Sequence, residues 1–138
     1  MRPETTPELT LTQIADELGI TAASDVVISG VSADNRAIRP GDLFVASRGQ
    51  TVHAARFAPS AIDAGAAAVL TDAEGTQMIG EVQVPVLVVD DPARSAGKAA
   101  SIVYGNPSAT LTTFGITGTN GKTSPAFMID HLLRELGR

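Results

Sequence analysis

The residue types best suited to chemistry lie near the end of the sequence, in Gly118-Thr-Asn-Gly-Lys-Thr-Ser124. A β-prone run, Leu111 to Ile116, leads into this segment. After it, Ile129, Leu132, Leu133 and Leu136 repeat at i, i+3, i+4 and i+7, the spacing of one face of a helix. Strand, glycine loop and helix in that order read as a phosphate-binding loop. Gly118 and Gly121 carry no Cβ, so the backbone can take φ > 0 and turn its N–H groups toward an anion at the positive end of the helix. Lys122 would reach the β- and γ-phosphates of ATP as a mobile point charge, and the Thr123 hydroxyl would complete the shell of a Mg²⁺ that keeps several waters. ATP is therefore expected at Gly118, Thr119, Asn120, Gly121, Lys122, Thr123 and Ser124, with Lys122 as the catalytic residue and Thr123 as the metal ligand. The usual pattern, G-x-x-x-x-G-K-[ST], wants glycine where Ile116 stands. Here it is Gly115, one residue earlier, which makes the loop a variant. Pro125 suits the first helical turn, where its missing N–H costs nothing. The bland alternative is a glycine turn carrying a solvated lysine.

A second polar cluster, Ala33-Asp34-Asn35-Arg36, sits between two β-prone runs, Asp25 to Ser32 and Leu43 to Ala46. Spacing alone leaves two readings open. Asp34 and Arg36 can balance each other in a solvated turn, or the loop can face a polar ligand. Asp90-Asp91 precedes Pro92 and reads as a helix cap, although adjacent carboxylates can also bind a metal or act as acid and base.

The elements that must position these residues follow the hydrophobic pattern. Residues 1–9 read as a loose tail. Leu11, Ile14, Ala15 and Leu18 predict a helix over Leu11–Leu18, capped by Thr10 or Thr12 and stopped by Gly19. Arg39-Pro-Gly-Asp42 is a turn. Ala54, Phe57, Ala58, Ala61 and Ile62 predict a helix of roughly ten residues, and Ala66 to Leu70 a buried strand. Asp72 to Gln77 reads as a polar stretch leading through a loop to a strand over Val84–Asp90, with Pro85 at its start. Pro92 to Tyr104 reads as a helix. Alternation of this kind predicts an α/β fold, a small sheet with flanking helices. Gly105-Asn-Pro-Ser108 marks a boundary, giving domains over 1–105 and 106–138. The second holds only a truncated P-loop βα unit, so the chain is expected to stop soon after that domain opens, with the stripe on the last helix exposed.

Composition narrows the function classes. Ten basic residues against fifteen acidic give a net charge of −5, and Lys98 and Lys122 are the only lysines. No basic face is available for nucleic acid. There is no cysteine, and the two histidines, His53 and His131, lack metal-ligand spacing. No apolar run is long enough to span a bilayer, and no signal segment opens the chain, so a soluble cytoplasmic protein without membrane contact is expected.

With those residues in view, the sequence resembles the Mur ligases of peptidoglycan synthesis, and most closely their MurE type. The resemblance rests on Asp34-Asn35-Arg36, Arg39-Pro-Gly-Asp-Leu-Phe-Val-Ala46, Tyr104-Gly-Asn-Pro-Ser108 and Phe114-Gly-Ile-Thr-Gly-Thr-Asn-Gly-Lys-Thr123, and it accounts for the odd glycine spacing. It implies a UDP-substrate-binding N-terminal domain followed by an ATP-binding domain. It further implies a ligase that phosphorylates the terminal carboxylate of UDP-MurNAc-L-Ala-D-Glu and joins an amino acid, diaminopimelate or lysine, through an acyl phosphate. The family's nucleotide-sugar contacts fall here on Ala33, Asp34, Asn35, Arg36, Gln50, Thr51 and Val52. Asn35 stands where the family usually has serine, and His53-Ala54 where it usually has Asp-Gly. Alternatives within this resemblance are a MurF-type ligase, another member of the superfamily such as a folylpolyglutamate synthetase, or a non-catalytic nucleotide-sugar binding module.

Overall fold

A computed structural model describes residues 9–137, and the expected tail at 1–8 lies outside them. The chain divides into two compact units, one ending at Pro107 and one beginning at Ser108.

In the first unit, β1 (Leu9–Thr10) pairs antiparallel with β2 (Val27–Ile28), so Leu9 belongs to a strand and not to the tail. Between them α1 (Leu11–Leu18) begins with a capping box. Thr10 Oγ1 accepts from the Gln13 N–H, the Gln13 side chain accepts from the Thr10 N–H, and Gly19 closes the helix in the left-handed conformation. The main sheet is parallel, in the order β3 (Gly30–Ser32), β4 (Asp42–Ala46), β5 (Ala68–Thr71) and β6 (Val86–Val88). The single strand expected over Asp25–Ser32 is therefore two strands serving two sheets. The break falls at Ser29, whose N–H donates to Gly41 O at 2.9 Å and whose hydroxyl donates to Pro40 O at 3.2 Å.

Every residue of β4 and of β5 is buried, and their side chains alternate between two cores. Leu43, Val45, Ala68 and Leu70 join Leu11, Ile14, Ala99 and Val103 on the face covered by α1 and by α4 (Pro92–Val103). Phe44, Ala46 and Val69 join Ala55, Ala58 and Ala61 on the other face. A parallel sheet covered on both sides gives continuous apolar strands, as these sequences do. The α/β architecture expected from the alternation of elements is present.

The expected ten-residue helix after residue 53 is a 3-10 turn, Ala54–Phe57, continuing into α2 (Ala58–Asp63). Ala55, Ala58 and Ala61 are its buried residues, while Phe57 is 37 % exposed and does not belong to the core face. The polar stretch Asp72 to Gln77, which leads into the loop before β6, contains α3 (Ala73–Ile79). Asp72 caps it by accepting from the Gly75 N–H at 2.7 Å. Asp91 caps α4 in the same way, accepting from Arg94 N at 2.9 Å, so the Asp90-Asp91 pair resolves as a helix start. Tyr104, just past α4, accepts the Val31 N–H through its hydroxyl at 3.3 Å and satisfies a donor of the edge strand β3.

In the second unit the strand expected over Leu111–Ile116 does not form. Those residues lie in irregular chain, with Leu111 65 % and Phe114 60 % exposed. The helix does form, as α5 (Thr123–Glu135), and none of its residues is buried. A helix makes its hydrogen bonds internally, whereas a strand takes them from a neighbour.

Gly75 gives a test of this packing. A Cβ there would stand 2.0 Å from Thr71 Oγ1, 2.8 Å from His53 Cε1 and 3.2 Å from Ala55 Cβ. On an open helix face Gly→Ala stabilises by roughly 0.5–1 kcal/mol. Here Gly75→Ala is expected to destabilise by about 1–3 kcal/mol. Urea unfolding measures it, and a variant as stable as the parent would contradict the packing.

Candidate functional site

Because β3, β4 and β5 run parallel, their carboxyl ends share one edge of the sheet. The segments that leave them, residues 33–41, 47–53 and Asp72, are brought to that edge together. In open α/β sheets this edge is where ligands bind.

Residues 33–41 cross from β3 to β4 with only a 3-10 turn, Asn35–Ala37, in place of a helix. The crossover is tied down internally. Ser32 Oγ donates to Asp34 O at 2.9 Å and accepts from Asp34 N at 3.1 Å. The Asp34 carboxylate accepts from Arg36 N and Nε at 3.0 Å each, and from Nη2 at 2.9 Å. Asn35 Nδ2 donates to Ser60 Oγ at 3.1 Å, and that hydroxyl donates to Phe57 O at 2.8 Å. Half of Asn35's amide is thus spent fastening the loop to the start of α2. Buried Asp42 holds the far end of the crossover by accepting the Arg39 N–H at 2.8 Å.

The structure brings Ala33, Asp34, Asn35 and Arg36 together. They line a groove of about 590 Å³ whose other walls are Phe44, Ala54 and Phe57. One wall is apolar and aromatic, the other carries a guanidinium and an amide, and Arg56 lies over the Phe57 ring at 5.5 Å. Such a groove suits a flat base with polar edges attached to an anion. Gln50, Thr51 and Val52 line a different, smaller groove of about 250 Å³, with Arg48, Gly49, His53, Glu74 and Met78. The two candidate segments therefore stand at one sheet edge without sharing one groove. Sequence spacing gives no sign of Phe44 and Phe57 as walls or of the pairing of His53 with Asp72. Those two residues are distant in sequence, and only the parallel order of β4 and β5 makes them neighbours.

In the second unit, Gly118 and Gly121 stand at φ 156° and 74°, and a Cβ on Gly121 would meet nothing within 4 Å, which leaves its backbone open to approach. Lys122 curls over its own loop, donating from Nζ to Gly118 O at 2.5 Å and to Thr119 O at 3.4 Å. Thr123 and Ser124 form the first turn of α5. α1, α3 and α4 are each capped by a side-chain oxygen, and α2 and α5 are not. The leading N–H groups of α5 have no intrahelical partner. These donors, a mobile ammonium and the hydroxyl of Thr123 form the kind of set a triphosphate and its divalent cation require.

Residues 27–111 match the model described as the Mur ligase family, catalytic domain. A UDP-N-acetylmuramoyl-L-alanyl-D-glutamate–2,6-diaminopimelate ligase of Streptomyces coelicolor is 42 % identical over 134 residues, spanning 96 % of this chain. The chain belongs to the Mur ligase family. A ligase of the same name from Chromobacterium violaceum is 45 % identical over 80 % of this Mur ligase chain. A UDP-N-acetylmuramyl-tripeptide synthetase of Leifsonia xyli is 35 % identical over 99 % of it. The chain spans about a quarter of these relatives, 26 % of the Streptomyces coelicolor protein, 23 % of the Chromobacterium violaceum one and 27 % of the Leifsonia xyli one. A crystal structure of MurF from Acinetobacter baumannii superposes with a TM-score of 0.69 at 22 % identity, covering 94 % of this chain and 28 % of that one, and so shares its fold. No helix among the described residues is long and apolar enough to cross a membrane, and none of their acidic or histidine side chains group as a metal site.

The electrostatics of the sheet edge make a pH prediction. Arg36, mainly by hydrogen bonding, holds the Asp34 carboxyl below the usual carboxylate range, and the Gly75 N–H, with His53 assisting, does the same for Asp72. A carboxyl with a depressed folded-state value contributes stability that is complete above its unfolded value, near 3.9, and is lost as the pH falls through the lowered one. Stability measured by urea unfolding is expected to hold from neutral pH to about 4 and to fall below it. Asp72→Asn is expected to flatten that fall; asparagine still caps the helix, so the cost at neutral pH is what the weakened contact with His53 contributes, about 1 kcal/mol. A fall of unchanged steepness in the variant would contradict the assignment to Asp72.

Proposed function

We propose that this chain carries the nucleotide-sugar-binding part of a MurE-type ligase, residues 1–105, joined to the opening of its ATP-binding domain, residues 106–138. The carrying observation is the groove at the carboxyl edge of the sheet. It collects Ala33, Asp34, Asn35 and Arg36 against Phe44 and Phe57, in a chain whose relatives are named for a UDP-N-acetylmuramoyl-dipeptide substrate. The aromatic walls suit the uracil ring, and Arg36 and the amides of the crossover suit the ribose and diphosphate. Gln50, Thr51 and Val52 extend the contact surface along the same edge.

The whole enzyme would join diaminopimelate or another amino acid to UDP-MurNAc-L-Ala-D-Glu with consumption of ATP. This chain's share of that work is binding and orientation. The amides leading into α5, with Lys122, would hold the triphosphate, and the Thr123 hydroxyl would hold Mg²⁺, whose contribution is to neutralise charge as the terminal phosphoryl group moves. Phosphoryl transfer asks chiefly for such placement, and Lys122 already reaches across the loop that would cradle the phosphates. The chain alone is expected to bind both ligands weakly and to release no phosphate from ATP.

An NMR titration tests the assignment. UDP-MurNAc-L-Ala-D-Glu should shift the amides of residues 33–36 and 50–52, and ATP with Mg²⁺ those of 118–124. Lys122→Ala should weaken ATP roughly ten- to a hundredfold, the share of a hydrogen bond to a charged group. Nucleotide sugar that perturbs neither segment of the first unit would refute the substrate assignment, and ATP binding that survives Lys122→Ala unchanged would refute the loop.

A further inference from the structure

The segment carrying Gln50, Thr51 and Val52 has no anchor of its own, for all three side chains are exposed. Its conformation is set from its ends. Gly49 N donates to Val52 O and Ala54 N to Ser47 O, each at 2.9 Å, and Arg48 faces His53 across an antiparallel bridge. These bonds shape a small closed loop, and α3 fastens it to the body of the unit at two points. Arg48 Nη1 meets Glu74 Oε2 at 2.5 Å, but the side chains are 69 % and 55 % exposed, and such a pair contributes little. His53 is different, because its side chain is 3 % exposed. Its Nδ1 accepts the Ala55 N–H at 3.1 Å, which leaves the ring proton on Nε2, and Nε2 faces both Asp72 oxygens at 3.1 Å. Asp72 is in turn oriented by the Gly75 N–H, and the absence of a Cβ on Gly75 makes room for the imidazole edge. Both ring nitrogens are committed inside the protein, in one tautomer, so the ring has no donor or acceptor left for a ligand. Its depressed carboxyl keeps Asp72 an ionised acceptor across the neutral range.

We propose that His53 is a positioning residue: fixed in the Nε2–H tautomer by Asp72 and Ala55, it clamps residues 48–52 to α3 and presents Gln50, Thr51 and Val52 to the nucleotide sugar in one conformation. This rests on the assignment of 50–52 to substrate contact. The buried His53–Asp72 pair, and not the exposed Arg48–Glu74 pair, sets the position of the loop.

Two variants separate the clamp from simple capping. His53→Asn keeps an oxygen that can accept the Ala55 N–H but is too short to reach Asp72. Asp72→Asn keeps Oδ1 as the acceptor for Gly75 but replaces Oδ2 with an N–H₂ that faces Nε2–H, donor against donor, and removes the charge, which loosens the hold on the ring. The measurements, on the whole chain, are imidazole ¹⁵N shifts, amide hydrogen exchange at Gly49 and Ala54, and affinity for UDP-MurNAc-L-Ala-D-Glu. The parent ring should show the Nε2–H pattern. Each variant should unfold cooperatively yet exchange those amides at least about tenfold faster and bind the nucleotide sugar about tenfold more weakly, equivalent to about 1.4 kcal/mol. A parent ring protonated on Nδ1, or parent-like exchange in His53→Asn, would overturn the clamp; so would fast exchange with unchanged affinity. If the parent itself binds no nucleotide sugar, the substrate assignment fails, and tautomer and exchange decide separately whether the clamp exists.

Discussion

The structure depends on one strand being buried on both faces. β4 sends Leu43 and Val45 into the core beneath α1 and α4, and Phe44 and Ala46 into the core beneath α2. Each large side chain so enclosed contributes on the order of 1.5–3 kcal/mol. A strand shared between two cores cannot slip by a residue without exchanging the contents of both. That fixed register, Leu43 beside Ala68 and Phe44 beside Val69, fixes where β4 and β5 end. The parallel direction then puts the following loops at one edge. Placement of the candidate ligand residues is thus a by-product of core packing, and the loops need only local bonds to finish their shape.

Local signals in the sequence were readable wherever the physics was local. Thr10 before Leu11, Asp91 before Pro92, and Gly19 after Leu18 mark helix ends because capping involves residues a few positions apart, and the structure has these caps. The buried runs of β4 and β5 were readable for a related reason, since enclosure on both faces demands unbroken apolar residues. α3 is hard to read from sequence because its composition argues against a helix. Glu74, Gly75, Thr76 and Gln77 give neither a clean apolar face nor good propensity, and the cause of Gly75, the crowding by Thr71 and His53, lies elsewhere in the chain. Asp72, three residues before the N–H it caps, was the available signal. The division of residues 25–32 between two sheets was hidden for another reason. Val27 to Ser32 is one β-prone run, and only the bonds from Ser29 to Gly41 and Pro40 show where it changes partner.

The candidate site divides along the same line. Asp34, Asn35 and Arg36 stood out as a polar cluster between strands, and the structure accommodates both readings that spacing left open. Asp34 and Arg36 do balance each other, and the loop they make does wall a groove. A carboxylate that orders its neighbour's guanidinium presents that cation in a defined direction, so mutual neutralisation and readiness for a ligand are compatible. The aromatic walls and the His53–Asp72 pair were not readable, because what joins them is the lateral order of strands.

The second unit shows the limit of local information from the opposite direction. Leu111 to Ile116 has the composition of a buried strand, yet it stays irregular, while α5 forms at once beside it. Ile129 and Leu133 are half-buried and line a shallow pocket with Phe114 and Ile116, whereas Phe127, Met128, Leu132 and Leu136 are exposed. The helix therefore owes little to burial and must rest on its own hydrogen bonds, its Asp130–Arg134 pair and the turn that starts it. That turn begins without a side-chain acceptor, in a segment where threonine and asparagine are plentiful and could have supplied one. Lys122 stands at the cap position instead, a cation at the positive end of a helix dipole, which is the unfavourable arrangement for a helix considered alone. The Lys122 ammonium turns back onto the carbonyls of Gly118 and Thr119, and an anion held between that ammonium and the helix start would offset the unfavourable dipole. The local cost and the proposed phosphate site are thus two aspects of one choice of residues.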